Sequence, residues 1–217
     1  MMLEKMDAFF AVRLDGYDSH MMNEIEGAEE FYPYTASLLP MSKGAKVLDL
    51  GCGTGLELGF YFTLNREASV VGIDLSEDML AACKEKYADQ SIKLICASYF
   101  EEPFGTACFD AAVSVESLHH FTPEQKKQLY TKLRTALKDE GYFVLTDYFA
   151  ESEEMEKFYF SELERMRTEQ GLEADAFYHY DTPLTVEHEM EVLKKAGFSK
   201  VRVMKNWNAT YTVLANR

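Results

Sequence analysis

The sequence predicts an α/β fold: a doubly wound, mostly parallel sheet of seven strands with helices on both faces and an antiparallel hairpin at the carboxyl end. Two observations lead to this prediction. From residue 44 onward, short apolar runs rich in β-branched residues alternate with amphipathic helical stretches, which is typical of a parallel sheet covered by helices. Near the end of the chain, two strand-like runs follow each other directly, and so short a connection joins only antiparallel strands.

Five apolar runs form the predicted parallel part of the sheet, at 46–50, 69–73, 92–97, 109–115 and 141–147. Helices are predicted between them, near 56–66, 77–88 and 123–138. The second of these helices begins after Ser76, a residue type that caps helix amino termini, and the third begins in the same way after Thr122, with Pro123 as its first residue. Strands and helices therefore alternate through the middle of the chain, as a doubly wound sheet requires.

The carboxyl end departs from this alternation. A helix is predicted near 185–196, and two strand-like runs, 200–206 and 209–215, follow it and are joined at Trp207 and Asn208. Because the two runs form a hairpin, we expect one strand at this end to run against the direction of the others.

Two segments rich in aromatic residues lie outside the predicted sheet. We divide the single predicted domain into an N-terminal helical lid (1–43), a core (44–149), a helical insertion that covers the substrate (150–183), and the last helix with the hairpin (184–217). The first segment fits equally well as helices that simply pack on one face of the sheet. In the insertion, aromatic residues with carboxylates nearby suit a cationic or amine substrate. The pattern fits better a helix whose acidic residues form the solvated face and whose aromatic residues form the buried side.

Charge and composition exclude several classes of partner. The chain of 217 residues carries 22 Lys and Arg against 37 Asp and Glu, a net charge of −15. Because phosphate backbones are bound by basic side chains, nucleic acid and anionic membranes are poor partners. No apolar stretch approaches the roughly 20 residues of a membrane span, and no apolar stripe calls for a partner chain. We expect a cytoplasmic protein that acts on a small molecule.

The cysteines point to a reducing compartment and to no metal site. All four are scattered through apolar or loop contexts, with no C-x-x-C pair and no histidine at metal-ligand spacing: Cys52, Cys83, Cys96 and Cys108. Such a pattern is typical of reduced thiols in the cytosol.

A glycine-rich turn is the strongest local signal. The run VLDLGCGTG at 47–55 leads a buried strand into a turn and then a helix, where glycines let a ligand approach the backbone. The next strand ends in Asp74, whose carboxylate suits the two hydroxyls of a ribose. A nicotinamide dinucleotide site uses the same architecture, but its third glycine falls one residue later, where this chain has Leu56. The remaining alternative is that the glycine turn and Asp74 have a structural role only and bind no ligand.

These residues resemble a known family, the class I S-adenosylmethionine (SAM) dependent methyltransferases, and in particular its small-molecule members. The family's D/E-x-G-x-G-x-G turn is matched by Asp49 and the glycines that follow it, and its acidic end of the second strand by Asp74. FDAAVSVESLHHF at 109–121 and LKDEGYFVLTDY at 137–148 resemble two further blocks. The resemblance covers about residues 44–149 and implies SAM as the cofactor.

The resemblance also implies which residues hold the cofactor. Gly51 and Gly53 would present backbone to its methionine part, Asp49 would hold the turn and the amino group, and Asp74 would bind the ribose. Further implied contacts are a lid residue, the adenine neighbours and the end of the fourth strand: Tyr17, Leu75, Met79, Ser98, Tyr99 and Val115. One departure from the family is Ala97, which replaces an Asp that bonds the adenine, so that this contact falls to the backbone at Ser98 or to Glu101.

Methyl transfer from a sulfonium mainly requires alignment of donor and acceptor, with a base only when the acceptor carries a proton. The candidate catalytic residues follow the fourth and fifth strands: His119, His120 and Tyr148. The prediction is an enzyme that methylates an O, N or C nucleophile of a small molecule. The alternatives are a methyltransferase of transfer RNA, a non-catalytic SAM-binding regulator and, least favoured, a nicotinamide-dependent oxidoreductase.

Overall fold

The computed structural model describes residues 2–173 and 176–217. Within these residues the chain forms eight helices and seven strands. The helices are α1 (Met6–Ala11), α2 (Tyr17–Glu24), α3 (Ala28–Ser37), α4 (Leu56–Leu64), α5 (Glu77–Lys86), α6 (Pro123–Ala136), α7 (Glu153–Gln170) and α8 (Val186–Lys195). The strands are β1 (Lys46–Leu50), β2 (Ser69–Asp74), β3 (Ser91–Cys96), β4 (Phe109–Val115), β5 (Leu137–Tyr148), β6 (Ser199–Trp207) and β7 (Thr210–Asn216).

The strands form one sheet in the order β3-β2-β1-β4-β5-β7-β6. Strands β1 to β5 pair in parallel, whereas β7 runs antiparallel to both β5 and β6. The predicted fold class is therefore confirmed, including the hairpin at the carboxyl end. The chain order reverses between β1 and β4, and ligands of such sheets bind at the carboxyl ends of the strands beside this reversal.

Both faces of the sheet are covered, because its central strands are apolar on both sides. On one face, α3 and α4 pack over β1, β4 and β5, with Phe31, Tyr61 and Leu58 fully buried. On the other face, α6 and α8 bury Leu133 and Leu193. Of the described residues, no helix is both long and apolar enough to cross a bilayer.

The helix starts follow the predicted caps. The Ser76 hydroxyl accepts a hydrogen bond from the amide of Met79. Thr122 forms a capping box with Gln125, in which each side chain accepts a hydrogen bond from the other residue's backbone amide. These bonds satisfy amides that have no partner inside the helix.

Two predicted boundaries were wrong, and the insertion is helical only in part. The predicted helix 123–138 ends at Ala136, because the chain already enters β5 at Leu137 and reaches Gly141 through a register shift beside β4. The hairpin turn lies at 208–209 rather than 207–208, with Asn208 in the left-handed region (φ 50°) that Asn tolerates. In the insertion, the helix α7 ends at Gln170, and residues 176–185 contain no helix. Residues 174–175 lie outside the described part of the chain.

Candidate functional site

The glycine turn after β1 is shaped by close contacts with its neighbours. Gly51 and Gly53 have positive φ angles of 74° and 48°, which favour glycine. A Cβ on Gly51 would lie 2.0 Å from the Ser117 hydroxyl, whereas a Cβ on Gly53 would meet no atom within 4 Å. The turn is thus packed on one side and open on the other, toward a cavity.

Asp74 closes β2 beside this turn. One carboxylate oxygen accepts a hydrogen bond from the Gly53 amide at 2.8 Å, and the other accepts one from the Ser76 amide at 2.9 Å. Burial raises the pKa of Asp74, and these amides oppose that effect. The carboxylate is therefore fixed in place with lone pairs left for a ligand.

A small cavity, the cofactor cavity, brings together eight of the predicted cofactor residues: Tyr17, Gly51, Gly53, Asp74, Leu75, Met79, Tyr99 and Val115. Met6, Glu116, Ser117 and His120 complete its wall. Apolar side chains with one carboxylate at the strand end suit the adenosine part of SAM. The cavity measures only about 60 Å³, so Met6 and Tyr17 would have to move before a ligand of that size could enter.

Two predicted residues lie apart from this wall. Asp49 is fully buried beneath the turn, where burial first and the nearby Glu57 second raise its pKa well above the usual range. The Ser98 hydroxyl accepts a hydrogen bond from the Phe100 amide at 3.2 Å and shapes the turn after β3. Their roles toward the cofactor stay predictions.

A larger cavity of about 720 Å³, the acceptor cavity, adjoins the first. Its wall combines the N-terminal segment with residues after β4, at the end of β5, after α7 and at the start of β7: Phe9, Val12, Arg13, Asp15, Gly16, Tyr17, His20, Met21, Ile25, Glu116, His119, His120, Tyr148, His179, Asp181 and Thr210. Tyr17, Glu116 and His120 line both cavities. All three predicted catalytic residues are therefore brought together at one cavity beside the predicted cofactor residues.

The N-terminal segment and the insertion are joined over the site. Lys5 and Tyr178 form an isolated antiparallel bridge, and the Met6 amide donates to the Phe177 carbonyl at 3.1 Å. Arg13, which lies between α1 and α2, pairs with Glu4 at 3.1 Å. These bonds join the two segments to each other beside the acceptor cavity, which Arg13 and His179 both line.

His119 is held between two carboxylates. Its Nδ1 lies 2.5 Å from Asp147, whose other oxygen accepts a hydrogen bond from the Leu118 amide, and its Nε2 lies 3.5 Å from Asp181. Burial acts to lower the pKa of His119, but the two carboxylates outweigh it and raise the pKa well above its usual value. Burial and the charge of His119 lower the pKa of His120.

Sequence reasoning missed Glu116, which stands at the junction of the two cavities. It follows β4 directly with a positive φ of 49°, and its carboxylate accepts a hydrogen bond from Thr210 at 3.3 Å. Burial, together with the charge of Asp147, raises its pKa to about 8. Its position directly after the fourth predicted strand could have indicated a site residue, because ligands of such sheets bind at the carboxyl ends of the strands.

Tyr148 stands at the end of β5 on the acceptor side. Its hydroxyl lies 3.3 Å from that of Tyr159 on α7, and burial raises its pKa above the usual value. The phenol therefore stays protonated near neutral pH and is able to donate a hydrogen bond.

Comparisons with known proteins relate this chain to methyltransferases. Residues 47–141 match the model of a family described as a methyltransferase domain. A tRNA (carboxymethyluridine(34)-5-O)-methyltransferase of Xenopus tropicalis is 28% identical over 139 residues, which are 64% of this chain and 21% of that protein. The carboxy-S-adenosyl-L-methionine synthase of Nautilia profundicola is 25% identical over 185 residues, which are 81% of this chain and 78% of that protein.

A solved structure shows the same fold over nearly the whole chain. The SAM-dependent methyltransferase of Aquifex aeolicus superposes with a TM-score of 0.66 and 16% identity, covering 95% of this chain and 97% of that one. The chain spans only about a fifth of the Xenopus relative and about four fifths of the Nautilia relative.

Proposed function

We propose that the chain is a class I SAM-dependent methyltransferase that methylates an O, N or C nucleophile of a small molecule bound in the acceptor cavity, with release of S-adenosylhomocysteine. The methyltransferase domain matched over residues 47–141 and the relatives described above support the class. The observation that carries this proposal is the junction of the two cavities. Because Tyr17, Glu116 and His120 line both, a ligand in the acceptor cavity lies directly beside one in the cofactor cavity.

Bound SAM supplies a methyl group that its positively charged sulfur already activates. What this chain must add is alignment of the acceptor and exclusion of water. In our proposal His119, His120 and Tyr148 contact the acceptor, since all three line the acceptor cavity. Asp147 acts as a positioning residue, because it fixes the orientation of the His119 ring.

Access to both cavities is proposed to depend on the cover formed by residues 1–43 and 150–183. Met6 and Tyr17 of this cover line the cofactor cavity, which measures about 60 Å³, so we infer that the cofactor enters when residues 1–43 move. Return of the segment would then exclude water from the reacting atoms. In this proposal residues 1–43 act as the lid and residues 150–183 as the substrate cover.

A small acceptor is favoured over RNA for two reasons. The acceptor cavity of about 720 Å³ lies within the usual range for small-molecule sites. The net charge of −15 opposes the approach of a polyanion. Because the name of the Xenopus relative gives transfer RNA as its substrate, the test below includes transfer RNA as a candidate acceptor.

The test measures S-adenosylhomocysteine released from SAM with a panel of small acceptors bearing hydroxyl, carboxyl, amine or acidic C–H groups, beside total transfer RNA. Release with a small acceptor, slowed about 10-fold in Tyr148→Phe while S-adenosylhomocysteine still binds, supports the proposal. Release with transfer RNA alone would overturn the choice of acceptor. Cofactor binding without turnover across a panel of several hundred acceptors would instead favour a SAM-binding regulator.

A further inference from the structure

Three potential metal ligands meet on the wall of the acceptor cavity. His119 Nε2 lies 3.5 Å and His120 Nδ1 lies 3.3 Å from the same oxygen of Asp181. The ligating atoms of all three residues lie within 4.8 Å of one another. The Asp181 side chain is 49% exposed while both histidines are nearly buried, so the cluster opens in one direction, toward the cavity.

The cluster is held from behind by bonds that fix its geometry. Asp147 holds Nδ1 of His119 at 2.5 Å and thereby leaves Nε2 facing Asp181. The Thr182 amide donates to the His119 carbonyl at 2.9 Å, which binds the segment carrying Asp181 to the segment carrying the histidines. A carboxylate on the far nitrogen of a histidine is the usual support of a metal-ligating ring.

The spacing between Asp181 and each histidine agrees with that of a tetrahedral site. An ion about 2.1 Å from each ligand atom sets those atoms about 3.4 Å apart, and the two measured separations from Asp181 are 3.5 and 3.3 Å. His120 Nδ1 also lies 3.2 Å from the Tyr180 carbonyl, so binding of an ion there requires the ring to carry its proton on Nε2 instead.

We propose that His119, His120 and Asp181 form a binding site for one divalent first-row transition metal ion, such as Zn²⁺, with a fourth position open to the acceptor cavity. Two imidazoles and one carboxylate suit ions of this class, and three protein ligands with an open position are typical of catalytic rather than structural sites. Neither the family model nor the sequence pattern pointed to this site, because Asp181 comes from a distant segment.

The site deepens the proposed function and rests on it for its role. An acceptor oxygen bound at the open position would be polarised by the ion and held beside the cofactor cavity, which His120 also lines. The two histidines would then contact the acceptor through the ion. This favours acceptors with a hydroxyl, enol or carboxyl oxygen within the proposed panel.

The experiment titrates Co²⁺ into EDTA-treated full-length protein and follows the visible absorption that four-coordinate Co²⁺ produces. We expect one ion per chain at micromolar affinity or better. Asp181→Ala should weaken binding by at least about 100-fold, and Asp147→Asn by about 10-fold to 100-fold. Asp15→Ala, which removes another carboxylate of the same cavity, should leave Co²⁺ binding unchanged.

Folding is checked by the S-adenosylhomocysteine affinity of each variant, which should match that of the parent. Absence of a Co²⁺ signal in the parent, or equal binding in Asp181→Ala, would overturn the metal site. An EDTA-treated enzyme that methylates its acceptor at an undiminished rate would overturn the role of the ion and leave the proposed function standing. Co²⁺ binding at this site without methyl transfer to any acceptor would overturn the proposed function and leave the metal site standing.

Discussion

The carboxylate of Asp18 accepts a hydrogen bond from the hydroxyl of Thr54, with 2.5 Å between the two oxygens. Asp18 lies in the first turn of α2, and Thr54 lies in the glycine turn that borders the cofactor cavity. Lys86 at the end of α5 binds the other Asp18 oxygen. Asp18, the residue after Tyr17, therefore binds the N-terminal segment to two elements beside the cofactor cavity, the glycine turn and α5.

Removal of the Asp18 carboxylate should make the N-terminal segment more mobile. In Asp18→Ala, we expect faster amide hydrogen exchange over residues 17–24 and S-adenosylhomocysteine affinity about 5-fold to 30-fold lower, because a charge-assisted hydrogen bond contributes about 1–2 kcal/mol. Glu24→Gln is the control, since Glu24 sits on the same helix and pairs with His20 at the surface. Unchanged exchange in Asp18→Ala would show that other contacts hold the segment.

Gly51→Ala tests the packing of the cofactor turn. The added methyl would lie 2.0 Å from the Ser117 hydroxyl in a left-handed backbone conformation. Gly44→Ala is the matched control, because Gly44 has a similar φ of 70° with open space around it. In urea unfolding we expect a cost of about 1 kcal/mol for Gly44→Ala and about 1–3 kcal/mol more for Gly51→Ala. Equal costs would mean that strain, not the contact with Ser117, demands glycine at position 51.

The sequence predicted correctly those features that a few neighbouring residues determine. The glycine turn, Asp74 and the caps at Ser76 and Thr122 each follow from a few neighbouring residues, and the structure places them as expected. The end of the helix before β5 was missed because Leu137 fits either a last helical turn or a first strand residue.

The acceptor side was less predictable, because it depends on contacts between distant segments. Asp181 reaches His119 only after the insertion has folded back and paired with Lys5. The segment around Asp181 was assigned to a helical insertion, whereas it runs without helix there. No local periodicity encodes such a pairing, so the cluster emerged only in three dimensions.

A buried ion pair between α6 and α8 supports the sheet face opposite the N-terminal segment. Lys126 and Tyr130 both bind the carboxylate of Glu189, and all three side chains are almost completely buried. Glu189→Ala should lower the free energy of unfolding by about 3–5 kcal/mol, because it leaves a buried ammonium without a partner.

Two variants make this stability prediction specific. The triple variant Lys126→Met/Tyr130→Phe/Glu189→Leu should recover most of the loss, since apolar replacements remove both charges and the buried hydroxyl that donates to Glu189. Glu191→Ala should cost less than about 1 kcal/mol, because its pair with Lys195 on the same helix is exposed. If the urea midpoint of Glu189→Ala matched that of Glu191→Ala, the pair would contribute nothing beyond a surface contact.

Tyr148→Phe separates turnover from cofactor binding. The phenol donor lines the acceptor cavity and is absent from the wall of the cofactor cavity. Once an acceptor is found, we expect kcat to fall about 10-fold from loss of one hydrogen bond to the reacting acceptor, with S-adenosylhomocysteine affinity unchanged. Tyr142→Phe, whose hydroxyl binds the Leu38 carbonyl away from the site, is the control; an equal fall in kcat there would remove Tyr148 from the acceptor site.

The measurement that tests the central claim most directly is calorimetric titration of the protein with S-adenosylhomocysteine, beside NADH, for the parent and for Asp74→Asn. The account predicts one S-adenosylhomocysteine bound per chain at micromolar affinity and no heat from NADH. Asp74→Asn should bind about 10-fold to 100-fold more weakly, since it removes a charged acceptor from the ribose hydroxyls, while the exposed Asp78→Asn should bind like the parent. Binding of NADH in preference, or equal affinity in Asp74→Asn, would contradict the account.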